Sequence, residues 1–188
     1  TLQGNQKLDS NNNGCDVNDI IIPNHKYSIS DGTTTGSLIS DASGNYSIPV
    51  QEGTHTITPV FENPTYFTVS PTSVNITFPT QTSPFVQDFC ITPNGIKKDL
   101  EITILPTVPA RPGFDSTYKI IYKNKGNQIL SGDANFTYND AVLDFVSATV
   151  APDSQSIGSL GWNYISLNPF ESKSIYVTLK VNSPTEIG

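Results

Sequence analysis

SIYVTLKV, Ser174 to Val181, alternates apolar and polar side chains over most of its length. Successive side chains of an extended strand point to opposite faces, so Ile175, Val177, Leu179 and Val181 share one side while Thr178 and Lys180 face water. The same period places Leu100, Ile102 and Ile104 together, then Tyr118, Ile120 and Tyr122, with Glu101, Lys119 and Lys123 turned outward. Helical spacing is almost absent. Gly, Pro, Asn or Asp breaks the alternation about every eight to twelve residues, which is the pattern of an all-β sandwich.

Working back toward the N terminus, candidate strands run over Gly4 to Leu8, His25 to Ser30, Gly36 to Ser40, Asn45 to Val50, His55 to Phe61, Tyr66 to Val69, Ser73 to Phe78 and Phe85 to Ile91. Between them lie Asp31, Gly32, Asp41, Gly44, Gly53, Pro64 and Pro71, residues that preset φ or bond their own backbone. TPNGI, Thr92 to Ile96, combines Pro and Gly without alternation and reads as a short linker. The expectation is two tandem β-sandwich domains, over residues 1–93 and 94–188, the second with six or seven strands. PTVPARPGF, Pro106 to Phe114, cannot form a central strand because its prolines supply no ladder donors; it should cross between sheets or guard an edge.

A chain of 188 residues split this way gives two small cores that a staple would help. Ten basic residues are scattered among 17 acidic ones, for a formal charge of -7, which argues against a phosphate-binding face. Nothing approaches the run of about 20 apolar residues that a membrane span needs. TLQGNQKLD at the start has neither a basic opening nor an apolar run, and VNSPTEIG at the end reads as a cut, so the expectation is an excised piece of a longer protein. The two cysteines, Cys15 and Cys90, bracket almost the whole first half. A bond between them would join the first loop to the last strand of one domain and add roughly 4 kcal/mol, less any strain. Two buried free thiols are the alternative.

DSNNNGCDVND, Asp9 to Asp19, begins like a calcium loop, with Asp9, Asn11 and Asn13 at alternate positions, Gly14 at the turn and the Cys15 carbonyl next. The twelfth position is Ile20 and not a bidentate Glu, so further oxygens for Ca2+ would come from Asp16, Asp19 or a distant loop. The alternative is an Asn/Asp-rich turn whose side chains cap backbone groups. His25 and His55 sit in alternating sequence with no nucleophile at a recognisable spacing, are read as surface strand residues, and point to no catalysis. Tyr66 with Phe67, or Trp162 with Tyr164, could form a sugar-stacking platform, although alternation should place one ring of each pair in the core.

Asp9, Asn11, Asn13 and Gly14, together with DASGNYSIPV (41–50) and EGTHTITP (52–59), give the first half a resemblance to the prealbumin-like sandwich modules of bacterial surface proteins, the B-domain and carboxypeptidase-regulatory-like group. In that pattern Asp41 and Gly44 form a turn, and Tyr46 and Ile48 point inward. The second half, from DLEITILPTVPARPGF onward, is similar to the immunoglobulin-like repeats of cell-surface proteins, with the flavour of large Bacteroidetes proteins exported by type IX secretion. The resemblance implies a non-catalytic, extracellular spacer in an adhesin stalk or filament, partnered by other domains of its own chain, by surface glycans or by further copies; the alternative is a carbohydrate-binding accessory module of a secreted enzyme. It also implies two modifications. Ser116, in Asp115-Ser116-Thr117, matches a short O-glycosylation acceptor pattern, with a plain turn as the alternative, and Lys7, Asp88 and Glu62 could be cast as an internal isopeptide bond and its acid catalyst, against three solvated or ion-paired side chains.

Overall fold

The structure, a computed structural model, describes residues 1–184. Among the described residues, seventeen strands and one 3-10 turn make an all-β fold, and no helix is long and apolar enough to cross a membrane. Contacts divide the chain into two compact units, Thr1–Lys98 with Lys125–Gln128, and Asp99–Asn124 with the residues from Ile129 onward.

The first unit contains β1 (Leu2–Leu8), β2 (Ile20–Ile21), β3 (Lys26–Ser30), β4 (Thr35–Ile39), β5 (Asn45–Ile48), β6 (Gly53–Val60), β7 (Phe67–Ser70), β8 (Val74–Phe78), β9 (Phe85–Val86) and β10 (Phe89–Pro93). One sheet has the order β4-β3-β6-β8; the other is built on β1, which changes partners midway. Its first half pairs with β5 and β9, and its second half with β2 and, in parallel, β10. Alternation turns Tyr27, Ile29, Ile57, Ile76 and Phe89 into the core between the sheets. Tyr46 is buried there and Ile48 packs at the rim. The turn before them follows from its sequence: Asp41 accepts N–H bonds from Ser43 and Asn45, and Gly44 sits at φ 75° where an added Cβ would meet Ile21 at 3.0 Å.

Thr92 to Ile96 is not a free linker. Thr92 and Pro93 continue β10 against Thr68 and Phe67, and the Asn94 N–H donates to the Tyr66 carbonyl. The short turn 125–128 packs in the same unit through Asn127, which is 2% exposed. Its Nδ2 donates to the Tyr66 and Gly95 carbonyls and its Oδ1 accepts the Lys97 N–H, while Lys125 pairs with Glu62 at 2.6 Å.

The second unit contains β11 (Leu100–Val108), β12 (Asp115–Asn124), β13 (Leu130–Thr137), β14 (Leu143–Ala148), β15 (Ser154–Ser156), β16 (Ser159–Leu167) and β17 (Ser172–Val181), in two sheets ordered β11-β12-β17-β14 and β13-β16-β15. Ile120, Trp162, Leu167, Ile175, Val177 and Leu179 fill the space between them. Ile102 and Ile104 depart from expectation, at 47% and 49% exposed. They lie on β11 at the edge of a four-stranded sheet, and the facing three-stranded sheet leaves them uncovered. Pro106 to Val108 end this same strand, so the proline-rich stretch guards an edge, as its missing donors require.

Candidate functional site

Chemistry-bearing side chains gather where β1 ends. The Asp9 N–H still donates to the Ile91 carbonyl, so the loop leaves β1 in register with β10. The Asp9 carboxylate is 2% exposed and turns back on its own loop, with one oxygen accepting the Asn13 N–H at 3.2 Å and the other the Gly14 N–H at 2.8 Å. Asn11 Oδ1 accepts from Asn13, Asp16 from Asn18, and Asp19 from Asp16. Left-handed backbone at Asn12 and Gly14, φ 60° and 96°, completes the curl. The turn alternative is thus what these side chains display. Among the described residues, no three His, Cys, Asp or Glu side chains gather to hold a metal ion, so a cation would need amide and backbone oxygens in addition to any carboxylate.

Cys15 and Cys90 are disulfide-bonded, with Cα atoms 5.5 Å apart, fixing this loop to β10. Beside the bond lies an open depression of ≈ 690 Å³ lined by Asn5, Lys7, Asp16, Val17 and Asp88 as well as both cysteines. It follows from the partner change of β1: the Asn5 N–H finds the Asp88 carboxylate at 2.8 Å in place of a strand carbonyl. The isopeptide roles are filled otherwise. Lys7 Nζ donates to the Asp16 carbonyl and Glu62 pairs with Lys125.

The remaining candidates are spent on packing. Both histidines are buried and not on the surface, because each occupies an inward position of the alternation. His25 packs against Phe61 in a tilted arrangement with ring centroids 4.7 Å apart, and burial pulls its pKa down to about 4. His55 Nε2 bonds the Gln51 carbonyl at 2.9 Å. Ser116 is 0% exposed and donates to the Leu179 carbonyl, so the folded unit offers no hydroxyl there for a glycan; Ser116 shares the inner face of β12 with Ile120. Phe67 is buried against Phe61, and Trp162 is buried with its indole N–H on the Val150 carbonyl. Tyr164 lies two residues from Trp162, hence on the same face, and packs against Tyr122; neither expected pair presents two rings to solvent. Sequence reasoning missed the buried pair Gln6 and Tyr27, in which the phenol donates to the Gln6 amide at 2.6 Å and burial pushes its pKa upward. A buried glutamine in a polar-looking strand, LQGNQKL, leaves no sequence signal beyond its phase with Leu2 and Leu8.

No family model matches this chain, and no curated protein matches it. Among solved structures, it is similar to a DUF3823 family protein from Bacteroides ovatus, with 14% identity, TM-score 0.38, and coverage of 98% of this chain and 81% of the other. A DUF3823 family protein from Parabacteroides merdae gives 10% identity, TM-score 0.35 and coverage of 98% and 83%. A Bacteroides uniformis protein proposed to bind carbohydrate gives 11% identity, TM-score 0.30 and coverage of 94% and 78%. At these scores the likenesses carry no argument about topology or ligand.

Proposed function

We propose that this chain is a non-catalytic, extracellular segment of a larger bacterial surface protein, in which two prealbumin-like and immunoglobulin-like sandwiches bear load between other domains. One observation carries this reading: the side chains that could have served catalysis or sugar stacking, His25, His55, Phe67 and Trp162, are consumed by the cores. The carbohydrate-binding alternative thereby loses its aromatic platform. The disulfide fits both an oxidising habitat and a mechanical role, because it locks the residues between Cys15 and Cys90 against extension. We further propose that the loop from Asp9 to Asp19 takes Ca2+ through Asn11, Asn13, the Cys15 carbonyl and the carboxylates beside them, stiffening the same region.

Single-molecule pulling tests the load-bearing reading. Each unit is expected to yield in one force peak, and reduction should lengthen the first unit's extension by about 260 Å, the span of the 75-residue separation released. A chain that extends smoothly with no force peak would overturn it.

A further inference from the structure

A sheet edge that is left unprotected invites another strand, and natural sheets guard their edges with Pro, charge, bulges or brevity. Most edges here are guarded. β2, β9 and β15 have only two or three residues. β11 carries Pro106 and a register shift, and β13 and β14 carry Asp133 and Asp144 with shifts of their own. β5 runs into Pro49 and β7 into Pro71. On β8, Gln81 folds back so that its side chain accepts the Thr77 N–H and its own N–H donates to the Thr77 carbonyl.

β4, at the other end of that sheet, has none of these devices. Its sequence, TGSLI, has no charge and no Pro, and its register with β3 runs without a shift from Lys26↔Ile39 to Ser30↔Thr35. The Ser40 N–H donates to the His25 carbonyl, which turns the even-numbered residues toward β3. In an antiparallel ladder the N–H and C=O of a residue point the same way and alternate along the strand, so Thr35, Ser37 and Ile39 direct theirs to the open edge. Ile39 is also 66% exposed.

We infer that the β4 edge is a self-association surface, where β4 of a second copy adds antiparallel about a two-fold axis through Ser37. The occupant follows from register. With Ser37 opposite its own copy, Thr35 lies across from Ile39 and Gly36 across from Leu38, so the exposed isoleucine gains a β-branched neighbour. β4 itself carries no acid, and Asp31 sits on the β3 side of the hairpin with its N–H on the Thr34 carbonyl, so no like-charged pair faces across the axis. The two four-stranded sheets become one continuous sheet. A five-residue strand buries little surface, so the association is weak.

Sedimentation velocity of the whole chain is expected to show a monomer–dimer equilibrium between micromolar and millimolar concentration. S37K and S37E each set like charges face to face at the axis and are expected to remain monomeric, while an equimolar mixture of the two recovers the dimer. Hydrogen exchange in concentrated wild-type samples is expected to slow the Thr35, Ser37 and Ile39 amides about tenfold relative to dilute samples, leaving Gly36 and Leu38 unchanged. A wild-type chain that stays monomeric at millimolar concentration, an S37K variant that dimerises as well as wild type, a mixture that stays monomeric, or protection confined to other strands would each overturn the inference.

Discussion

The two units solve the problem of a small core differently. The first spends polar groups and a covalent bond on it: a disulfide, a buried glutamine and tyrosine, a buried carboxylate at Asp9, and Asn127 holding three backbone groups. The second relies on longer strands in two sheets, whose longest register joins β12 and β17 over nine residue pairs, closed over a lone tryptophan. Strand length explains the contrast. Strands of the first unit are mostly five residues or shorter, and its β1 is divided between two sets of partners, so its ladders need supplements. In the second, β12 and β17 each run ten residues and hold one another in register.

The largest expected effect breaks the comparison at its covalent member. Replacing Cys15 and Cys90 together by Ser is expected to lower the stability of the first unit by about 4 kcal/mol, since the loop they close is long. Trp162 is the only tryptophan and belongs to the second unit, so its fluorescence transition reports that unit alone and is expected to stay in place. Hydrogen exchange of β3 and β6 amides supplies the first unit's readout. Equal loss in both would mean that the staple is not a local device.

A second experiment separates the units by pH. His25 is held neutral by burial, with a pKa of about 4 against 6.5 for a free histidine. The unfolded chain therefore binds a proton below pH 6.5 that the folded chain refuses, and the first unit's stability falls as pH drops from 6.5 to 4, then levels with respect to this group. The loss is on the order of 3 kcal/mol. Asp31 and Asp41, whose pKa values are lowered by N–H bonds within their turns, act only below this window. Denaturant midpoints at several pH values check it, and His25→Phe is expected to flatten the slope between pH 6.5 and 4. An unchanged slope in that variant would remove His25 from the account.

Period-two alternation made most of the fold legible, because the face a strand residue takes is written in its phase: Ile175, Val177 and Leu179 are buried as read, and Asp41 with Gly44 turns where its chemistry requires. The disulfide was legible too, from position and composition. What escaped depends on partners distant in sequence. Asn127 reads as an ordinary turn asparagine, and only its neighbours Tyr66, Gly95 and Lys97 make it a buried bracket. Ile102 and Ile104 have the right phase, yet exposure follows from how many strands lie across from them. Ser116 failed as a surface acceptor for a related reason. A three-residue pattern ignores the phase that sets Ser116 inward beside Leu179.

The smallest effect tests how the loop from Asp9 to Asp19 contributes to the first unit. Asp9 already satisfies the Asn13 and Gly14 N–H groups, so the curl persists without a cation, and binding would add to a structure already formed. Extracellular calcium modules bind at about 10⁻⁴–10⁻³ M, and at millimolar calcium a site of that affinity stabilises by about 1 kcal/mol through linkage. Millimolar Ca2+ is therefore expected to raise the first unit's midpoint by that amount, excess chelator to reverse it, and the Trp162 transition to ignore both. Asn11→Ala should abolish the calcium increment while sparing the Asp9 bonds to Asn13 and Gly14. If calcium and chelator leave the first unit's midpoint unchanged while Asp9→Ala still lowers it, the loop serves this unit as a hydrogen-bonded turn, with the disulfide as its only cross-link.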